Sequence, residues 1–135
     1  MNRLTLRLWP VAVLLLAASV RGGTQGSPPP VFGEWHGRST CLIKPSPCNS
    51  EIVVYTIGRD SVYRDSVAIN ADKIVNGKRD FMGTIRCGWN APKLSCPMRN
   101  DWWRFTLHGD TLSGSLDLAD GRRYRDVEVI RHKAR

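Results

Sequence analysis

The fold is decided by residues 81–131, which read FMGTIRCGWNAPKLSCPMRNDWWRFTLHGDTLSGSLDLADGRRYRDVEVIR. Runs of alternating apolar and polar residues are separated by four short connections rich in Asn, Asp, Gly and Pro. Alternation with a period of two is typical of a strand with one buried face, and these four residue types favour turns. The stretch therefore predicts five antiparallel strands joined as a meander.

The first predicted hairpin joins residues 81–89 to residues 94–99 through a turn at residues 90–93. One register fits both strands and pairs Trp89 with Leu94, Cys87 with Cys96 and Ile85 with Met98. Opposed residues of an antiparallel pair share a face, with Cβ atoms about 4.5–5.5 Å apart. A disulfide needs a Cβ separation of about 3.5–4.5 Å, which two opposed residues can reach when they form a non-hydrogen-bonded pair. The register therefore predicts a disulfide between Cys87 and Cys96.

Three more turns continue the ladder, at residues 99–102, at Gly109-Asp110 and at Asp120-Gly121. The last two are hairpin sequences, because glycine supplies the positive φ that primed turns need. The predicted pairs are Met98 with Trp103, Cys96 with Phe105, Leu94 with Leu107, Leu107 with Leu112, Phe105 with Gly114, Trp103 with Leu116, Leu112 with Val129, Gly114 with Val127 and Leu116 with Arg125.

The four turns agree on one inner face, and a one-residue slip at any of them would turn that face outward. Gly83 and Gly114 also point inward, where their missing side chains would leave room for a ligand. The face is apolar except for Arg125, and its other members are Ile85, Cys87, Trp89, Leu94, Cys96, Met98, Trp103, Phe105, Leu107, Leu112, Leu116, Val127 and Val129.

The first half of the chain adds three or four strands, and no segment has a helical period over more than two turns. A tight turn is predicted at Arg59-Asp60 and a hairpin turn at Asn76-Gly77. The predicted fold is all-β, an antiparallel up-and-down meander of about eight strands that closes into a small barrel, because closure removes exposed edges. A two-sheet sandwich is the alternative. The predicted strands of this half are residues 31–43, 51–58, 61–69 and, less regularly, 74–75.

The N-terminus is predicted to lie outside the barrel domain. Arg3 and Arg7 precede a short apolar run at residues 11–18, and small residues follow it, which is the pattern of a secretory signal peptide. The run is too short to span a bilayer. We therefore expect a secreted or periplasmic protein, with a signal peptide at residues 1–22, a flexible Pro/Gly-rich leader at 23–30 and a single barrel domain at 31–135.

Four cysteines in a secreted domain of this size predict two disulfides. Three pairings are possible. We favour Cys41 with Cys48, which closes a short loop, together with Cys87 and Cys96. A metal site at these cysteines is not expected, because the sequence has no CxxC pair.

The chain carries a formal net charge of +8. Basic residues gather near the C-terminus, which would suit an anionic partner such as nucleic acid, an acidic polysaccharide or anionic lipid. Acidic residues interleave with them at Asp120, Asp126 and Glu128, a pattern more typical of a solvated edge strand. We therefore expect no nucleic-acid partner and no stable membrane insertion after signal cleavage.

The first predicted strand carries the motif Gly33-Glu34-Trp35. A GxW on the first strand of a meander resembles the opening of lipocalin-like barrels of the calycin type. This resemblance implies that Trp35 closes one end of the barrel, that Arg125 or Arg131 packs across it, and that the fold binds small apolar ligands. Residues 33–37 also resemble the GxWxG opening of nitrobindin-like haem barrels, and the layout resembles small secreted bacterial proteins of unassigned function.

Candidate catalytic and metal-binding groups are sparse. No GxSxG is present, every cysteine is assigned to a disulfide, and most acids lie at turns, so we expect no enzyme. A metal or haem site would need histidines that converge. His36 and His108 are predicted to face outward and His132 lies near the C-terminus, so we expect no metal and no cofactor.

The leading hypothesis is therefore a secreted, lipocalin-like protein that binds a small apolar or amphipathic ligand. A protein-binding module, such as an inhibitor of a secreted enzyme, is the alternative; it would use the Cys41–Cys48 loop, or Trp102 with Arg99 and Arg104, against an acidic partner. A domain with a packed core and no dedicated partner is the third. The predicted ligand-binding residues are Trp35, Trp103, Phe105, Leu107, Leu116 and Arg125.

Overall fold

The computed structural model describes residues 26–44 and 47–135. The predicted signal peptide and the first residues of the predicted leader lie outside the described residues. Each of eight strands pairs antiparallel with the next, and the last pairs with the first, so that the meander closes into a barrel. The strands are β1 Gly33–Cys41, β2 Glu51–Arg59, β3 Val67–Val75, β4 Lys78–Asn90, β5 Lys93–Pro97, β6 Trp102–His108, β7 Thr111–Asp117 and β8 Arg123–Arg131.

The predicted fold class is confirmed, and the sandwich alternative is wrong. An eight-stranded antiparallel barrel is consistent with a calycin-like fold. Within residues 26–44 and 47–135, no helix is long and apolar enough to cross a bilayer.

Most of the predicted register between β4 and β8 is confirmed. Trp89 opposes Leu94, and every predicted pair from β6 to β7 and from β7 to β8 is present. Both predicted disulfides are present, with Cα separations of 5.9 Å for Cys41 and Cys48 and 4.1 Å for Cys87 and Cys96. Two disulfides are typical of proteins that fold in an oxidising compartment.

The register between β5 and β6 differs from the prediction by two residues. The prediction paired Cys96 with Phe105, whereas Cys96 pairs with Trp103 and Leu94 pairs with Phe105. The turn begins one residue earlier, at Met98, whose N–H donates to the carbonyl of Asp101 (2.8 Å). Met98 therefore leaves the ladder and pairs with neither of its predicted partners. A shift of two residues keeps every side chain on its face, so alternation alone could not detect it.

The predicted strand at residues 61–69 is wrong over its first half, because residues 60–66 form a loop. The Asp60 carboxylate accepts hydrogen bonds from the N–H groups of Val62 (2.7 Å) and Tyr63 (3.0 Å). An aspartate that bonds the backbone two or three residues ahead holds a turn and competes with strand pairing. β3 starts only at Val67 and continues to the predicted turn at Asn76-Gly77, where both residues have positive φ.

One end of the barrel, which we call the closed end, is sealed by Trp35. The Trp35 side chain is fully buried, and its Nε1–H donates to the carbonyl of Val31 (3.0 Å). The guanidinium of Arg131 lies 4.2 Å from the centre of the indole ring and donates to the carbonyl of Phe32 (2.9 Å). Of the two candidates, Arg131 therefore packs on Trp35, because it opposes Trp35 in the β1–β8 ladder, whereas Arg125 opposes Cys41.

Candidate ligand site at the open end of the barrel

The opposite end of the barrel, the open end, holds a cavity of about 340 Å³. Its apolar wall comes from inward positions of β2, β3, β4 and β6, together with the turn that follows β5. Its polar rim comes from β1, β2 and β8. The lining includes the apolar and aromatic residues Tyr55, Ala71, Ile85, Met98 and Trp103 and the polar residues Ser39, Glu51 and Arg125.

Tyr55 and Trp103 form the floor of the cavity, and both rings contact Phe105 beneath it. The ring of Trp103 stacks on that of Phe105, with centroids 5.6 Å apart and planes 6° from parallel. Tyr55 meets Phe105 edge to face, with centroids 6.1 Å apart. Phe105 is almost wholly buried and fills the interior of the barrel beneath Tyr55 and Trp103. The cavity is therefore shallow, and a packed core lies beneath it.

The polar rim centres on Arg125, whose side chain is only 14% exposed. One guanidinium nitrogen donates to the hydroxyl of Ser39 (3.1 Å) and lies 3.8 Å from a carboxylate oxygen of Glu51. A guanidinium has five N–H donors, so these contacts leave capacity for further acceptors. The rim therefore offers a shielded cation to a ligand.

The hydroxyl of Tyr55 keeps its proton in this site. Burial raises the pKa of Tyr55 far above its ordinary value, the nearby Arg125 opposes that rise, and Glu51 adds to it. A neutral phenol both donates and accepts hydrogen bonds. Tyr55 can therefore orient a polar ligand group beside Arg125.

The two inward glycines have different consequences for the interior. A Cβ on Gly83 would meet no atom within 4 Å, so this position leaves open space beside the cavity. A Cβ on Gly114 would lie 2.2 Å from a ring carbon of Phe105. The space at Gly114 is thus filled by Phe105, and the expectation that both glycines leave room holds for Gly83 alone.

The structure brings two of the six predicted ligand residues to the cavity, Trp103 and Arg125. Trp35 lies at the closed end, and Phe105 lies beneath the cavity floor. Leu107 and Leu116 pack, partly buried, against the core and do not line the cavity.

Sequence reasoning missed the contribution of β2. Glu51 and Tyr55 lie on the same face of β2, as their even spacing requires. The alternation within residues 51–57 therefore held the signal that an acid and a tyrosine point inward together. Ser39 was missed as well, although it shares the inner face of β1 with Trp35.

A second depression, of about 1040 Å³, lies on the outer surface across β1, β6, β7 and β8. Its lining includes charged and hydroxyl side chains such as Arg38, Arg104 and Glu128. It is open to solvent and lacks an aromatic wall, whereas small-molecule sites are concave and mostly apolar. The smaller cavity inside the barrel is therefore the better candidate.

Two of the three histidines meet on the outer surface of the barrel. The imidazoles of His36 and His132 stack with centroids 4.4 Å apart, and Nε2 of His36 lies 2.6 Å from Oε1 of Glu34. The hydrogen bonds from His36 and Arg79 lower the pKa of the Glu34 carboxyl. The expectation that the histidines do not converge is therefore wrong for His36 and His132, whereas His108 is not part of this group.

No protein-family model, no curated protein and no solved structure matches this chain. The resemblance to lipocalin-like barrels is therefore limited to the barrel architecture, and the function has to be argued from the geometry of the site.

Proposed function

We propose that this protein is a lipocalin-like binding protein for a small amphipathic ligand with an anionic head. The cavity at the open end carries the proposal, because it joins an aromatic floor to a shielded cation. Its volume of about 340 Å³ lies at the lower end of the range for ligand pockets, roughly 300–1,000 Å³. The ligand is therefore small.

Arg125 is proposed to bind the head and Trp103 the apolar part. A carboxylate could accept two parallel hydrogen bonds from the guanidinium, a geometry stronger than the 3.8 Å contact with Glu51. The head would also lie close to the Tyr55 hydroxyl.

The test compares decanoate with decanol, which differ in the charge of the head. Arg125→Gln should weaken decanoate binding about tenfold, equivalent to ~1.4 kcal/mol, and leave decanol binding unchanged. Ala71→Leu, which fills the cavity, should weaken both ligands. Ala68→Leu is the matched control, because Ala68 lies on the outer face of the same strand. Calorimetric titration measures each affinity, and equal affinities in wild type, Arg125→Gln and Ala71→Leu would disprove the site.

Native mass spectrometry of the oxidised protein complements this titration. A small molecule that co-purifies with wild type but not with Ala71→Leu would identify the chemical class of the natural ligand. The same molecule on both proteins would place its binding site elsewhere.

The second candidate function is a protein-binding module, favoured by one exposed aromatic residue. Trp102 is 40% exposed, its Nε1–H donates to Ser95 Oγ (2.9 Å), and the guanidinium of Arg104 lies 4.8 Å from its ring centre. Tryptophan and arginine are the residues most enriched at binding hot spots. This function predicts that Trp102→Ala abolishes capture of an acidic partner and leaves decanoate affinity unchanged.

A further inference from the structure

Strands β1 and β8, which pair to close the barrel, bring three metal-ligating side chains together on its outer surface. Glu34 and His36 lie on the outer face of β1, one on each side of the inward-facing Trp35. His132 follows β8, and its N–H donates to the carbonyl of Glu34 (2.8 Å), so that His132 extends the β1–β8 ladder by one residue. One ligand atom from each side chain lies within 4.8 Å of the other two.

Two imidazoles and a carboxylate are a ligand set typical of nitrogen-preferring divalent metal ions. A tetrahedral ion with bonds of 2.0–2.1 Å needs ligand atoms about 3.4 Å apart. The widest separation, at most 4.8 Å, therefore has to shorten to this value, and the 2.6 Å between Nε2 of His36 and Oε1 of Glu34 has to lengthen to it. Rotation about the side-chain bonds can supply both changes. The backbone needs no such movement, because pairing between β1 and β8 already holds it.

The group is open enough for an ion to enter and for water to complete the coordination. The side chains of His36 and Glu34 are 41% and 30% exposed. Because both hydrogen bonds to Glu34 go to Oε1, the carboxylate can turn Oε2 toward an ion.

One neighbour opposes a cation at this position. The guanidinium of Arg79 donates to Glu34 Oε1 (2.9 Å) and lies 3.8 Å from a carboxylate oxygen of Asp72. Arg79 can keep its contact with Asp72 while Glu34 turns to the ion. Its positive charge should nevertheless weaken metal binding. Removal of the Arg79 side chain should therefore tighten it.

We propose that Glu34, His36 and His132 form a surface site for a divalent transition-metal ion such as Zn²⁺. Water supplies the remaining ligands, and the two imidazoles leave their stacked arrangement when the ion binds. The site is separate from the cavity at the open end, so the metal binds whether or not the barrel carries a ligand.

Titration with Zn²⁺ tests the proposal. The protein is purified from the periplasm without a histidine tag, with both disulfides formed, and titrated in a calorimeter in buffer without chelating components. Wild type should bind one ion per chain. His36→Ala, His132→Ala and Glu34→Gln should each weaken binding at least about tenfold, since each removes a ligand, and Arg79→Ala should tighten it. His108→Ala should match wild type.

Two results would overturn the site. The first is the absence of Zn²⁺ binding to wild type at concentrations up to about 0.1 mM. The second is equal affinity in wild type and in the His36→Ala/His132→Ala double variant. Near-ultraviolet circular dichroism of each variant distinguishes lost ligands from lost folding. Cu²⁺ added to wild type should give an electron paramagnetic resonance spectrum with two coupled nitrogens, which the double variant should lack.

Discussion

At the scale of single residues, the closed end depends on one pair. Arg131 stacks on Trp35 and bonds the carbonyl of Phe32, and its Nε donates to Asp110 (3.1 Å). It thereby ties the N-terminal segment, β8 and the turn between β6 and β7 to one guanidinium. A cation over an indole contributes about 0.5–2 kcal/mol, and more when it is shielded from water.

Replacing this arginine should destabilise the whole barrel. We expect Arg131→Ala to lower the free energy of unfolding by about 2–3 kcal/mol, because the cation–π contact with Trp35 and the hydrogen bond to the Phe32 carbonyl are lost together. Urea denaturation followed by tryptophan fluorescence measures the change. Arg122→Ala is the control, since Arg122 is exposed and pairs with Asp120, and should cost less than about 0.5 kcal/mol. Equal losses in the two variants would show that the closed end does not depend on Arg131.

At the scale of elements, the loop between β2 and β3 is organised by Asp60. Besides the backbone bonds to Val62 and Tyr63, its carboxylate accepts a hydrogen bond from Arg86 on β4 (2.7 Å), and the Arg86 guanidinium lies 5.1 Å from the centre of the Tyr63 ring. The N–H groups of Tyr63 and Val62, and then Arg86, hold the pKa of Asp60 below its ordinary value. The loop is thus held by a charged carboxylate.

This carboxylate should make part of the stability depend on pH. A pKa lower in the folded state than the ordinary 3.9 or so means that the contribution is complete above about pH 5 and is lost as pH falls through the folded value. Asp60→Asn should therefore be less stable than wild type at pH 7, and the difference should shrink below about pH 4. Urea midpoints between pH 7 and pH 2.5 measure it.

Asp65→Asn provides the control in the same loop, because Asp65 is exposed. Its urea midpoint should follow that of wild type at every pH. A gap between wild type and Asp60→Asn that stays constant down to pH 2.5 would contradict the role given to the Asp60 charge. The wild type will keep some acid sensitivity in either case, because Glu34, Asp110 and Asp120 also have lowered pKa values.

At the scale of the whole molecule, closure of the barrel requires a close approach between β1 and β8. Gly37 of β1 opposes Val129 of β8 in this β1–β8 seam, and a Cβ on Gly37 would lie 2.0 Å from the carbonyl oxygen of Glu128. A backbone carbonyl cannot move aside without disturbing the ladder. The missing side chain of Gly37 therefore lets the first and last strands meet.

Gly37→Ala should destabilise the barrel by about 1–3 kcal/mol, because the added methyl group overpacks the seam. Gly88→Ala is the matched control, since Gly88 also lies in a strand and a Cβ there meets nothing within 4 Å. That change should be neutral or slightly stabilising, because alanine reduces the freedom of the unfolded chain. Thermal unfolding measures both, and a Gly37→Ala protein as stable as Gly88→Ala would contradict the tight seam.

Local features of the sequence predicted much of this architecture. The turn at Gly109-Asp110 sets the pairing of β6 and β7, because a two-residue loop leaves one register. The connection around Asp120-Gly121 is longer than the predicted two residues, and a register shift after Leu116 keeps the predicted pairs of β7 and β8 in place. Alternation then assigned the inner face. The same reasoning failed where several short connections fit, as at Met98, and where a side chain reorganised the backbone, as at Asp60.

The candidate site was less predictable. Trp103 and Arg125 follow from the predicted ladder, whereas Tyr55 and Glu51 lie on a strand for which no register of pairing was predicted. Cavity size depends on how Phe105 settles against Gly114, which is a packing outcome in three dimensions. A pattern of apolar residues shows that a face is inward but not whether the space before it is filled.

The sequence by itself determined the number of strands in the second half, their inner face and the disulfide partners, because each depends on residues a few positions apart. Only the tertiary structure decided that Arg131 meets Trp35, that Arg125 lies at the open end, and that His36 meets His132. These contacts join opposite ends of the chain through the β1–β8 seam. Their positions depend on how all eight strands close, which no local period encodes.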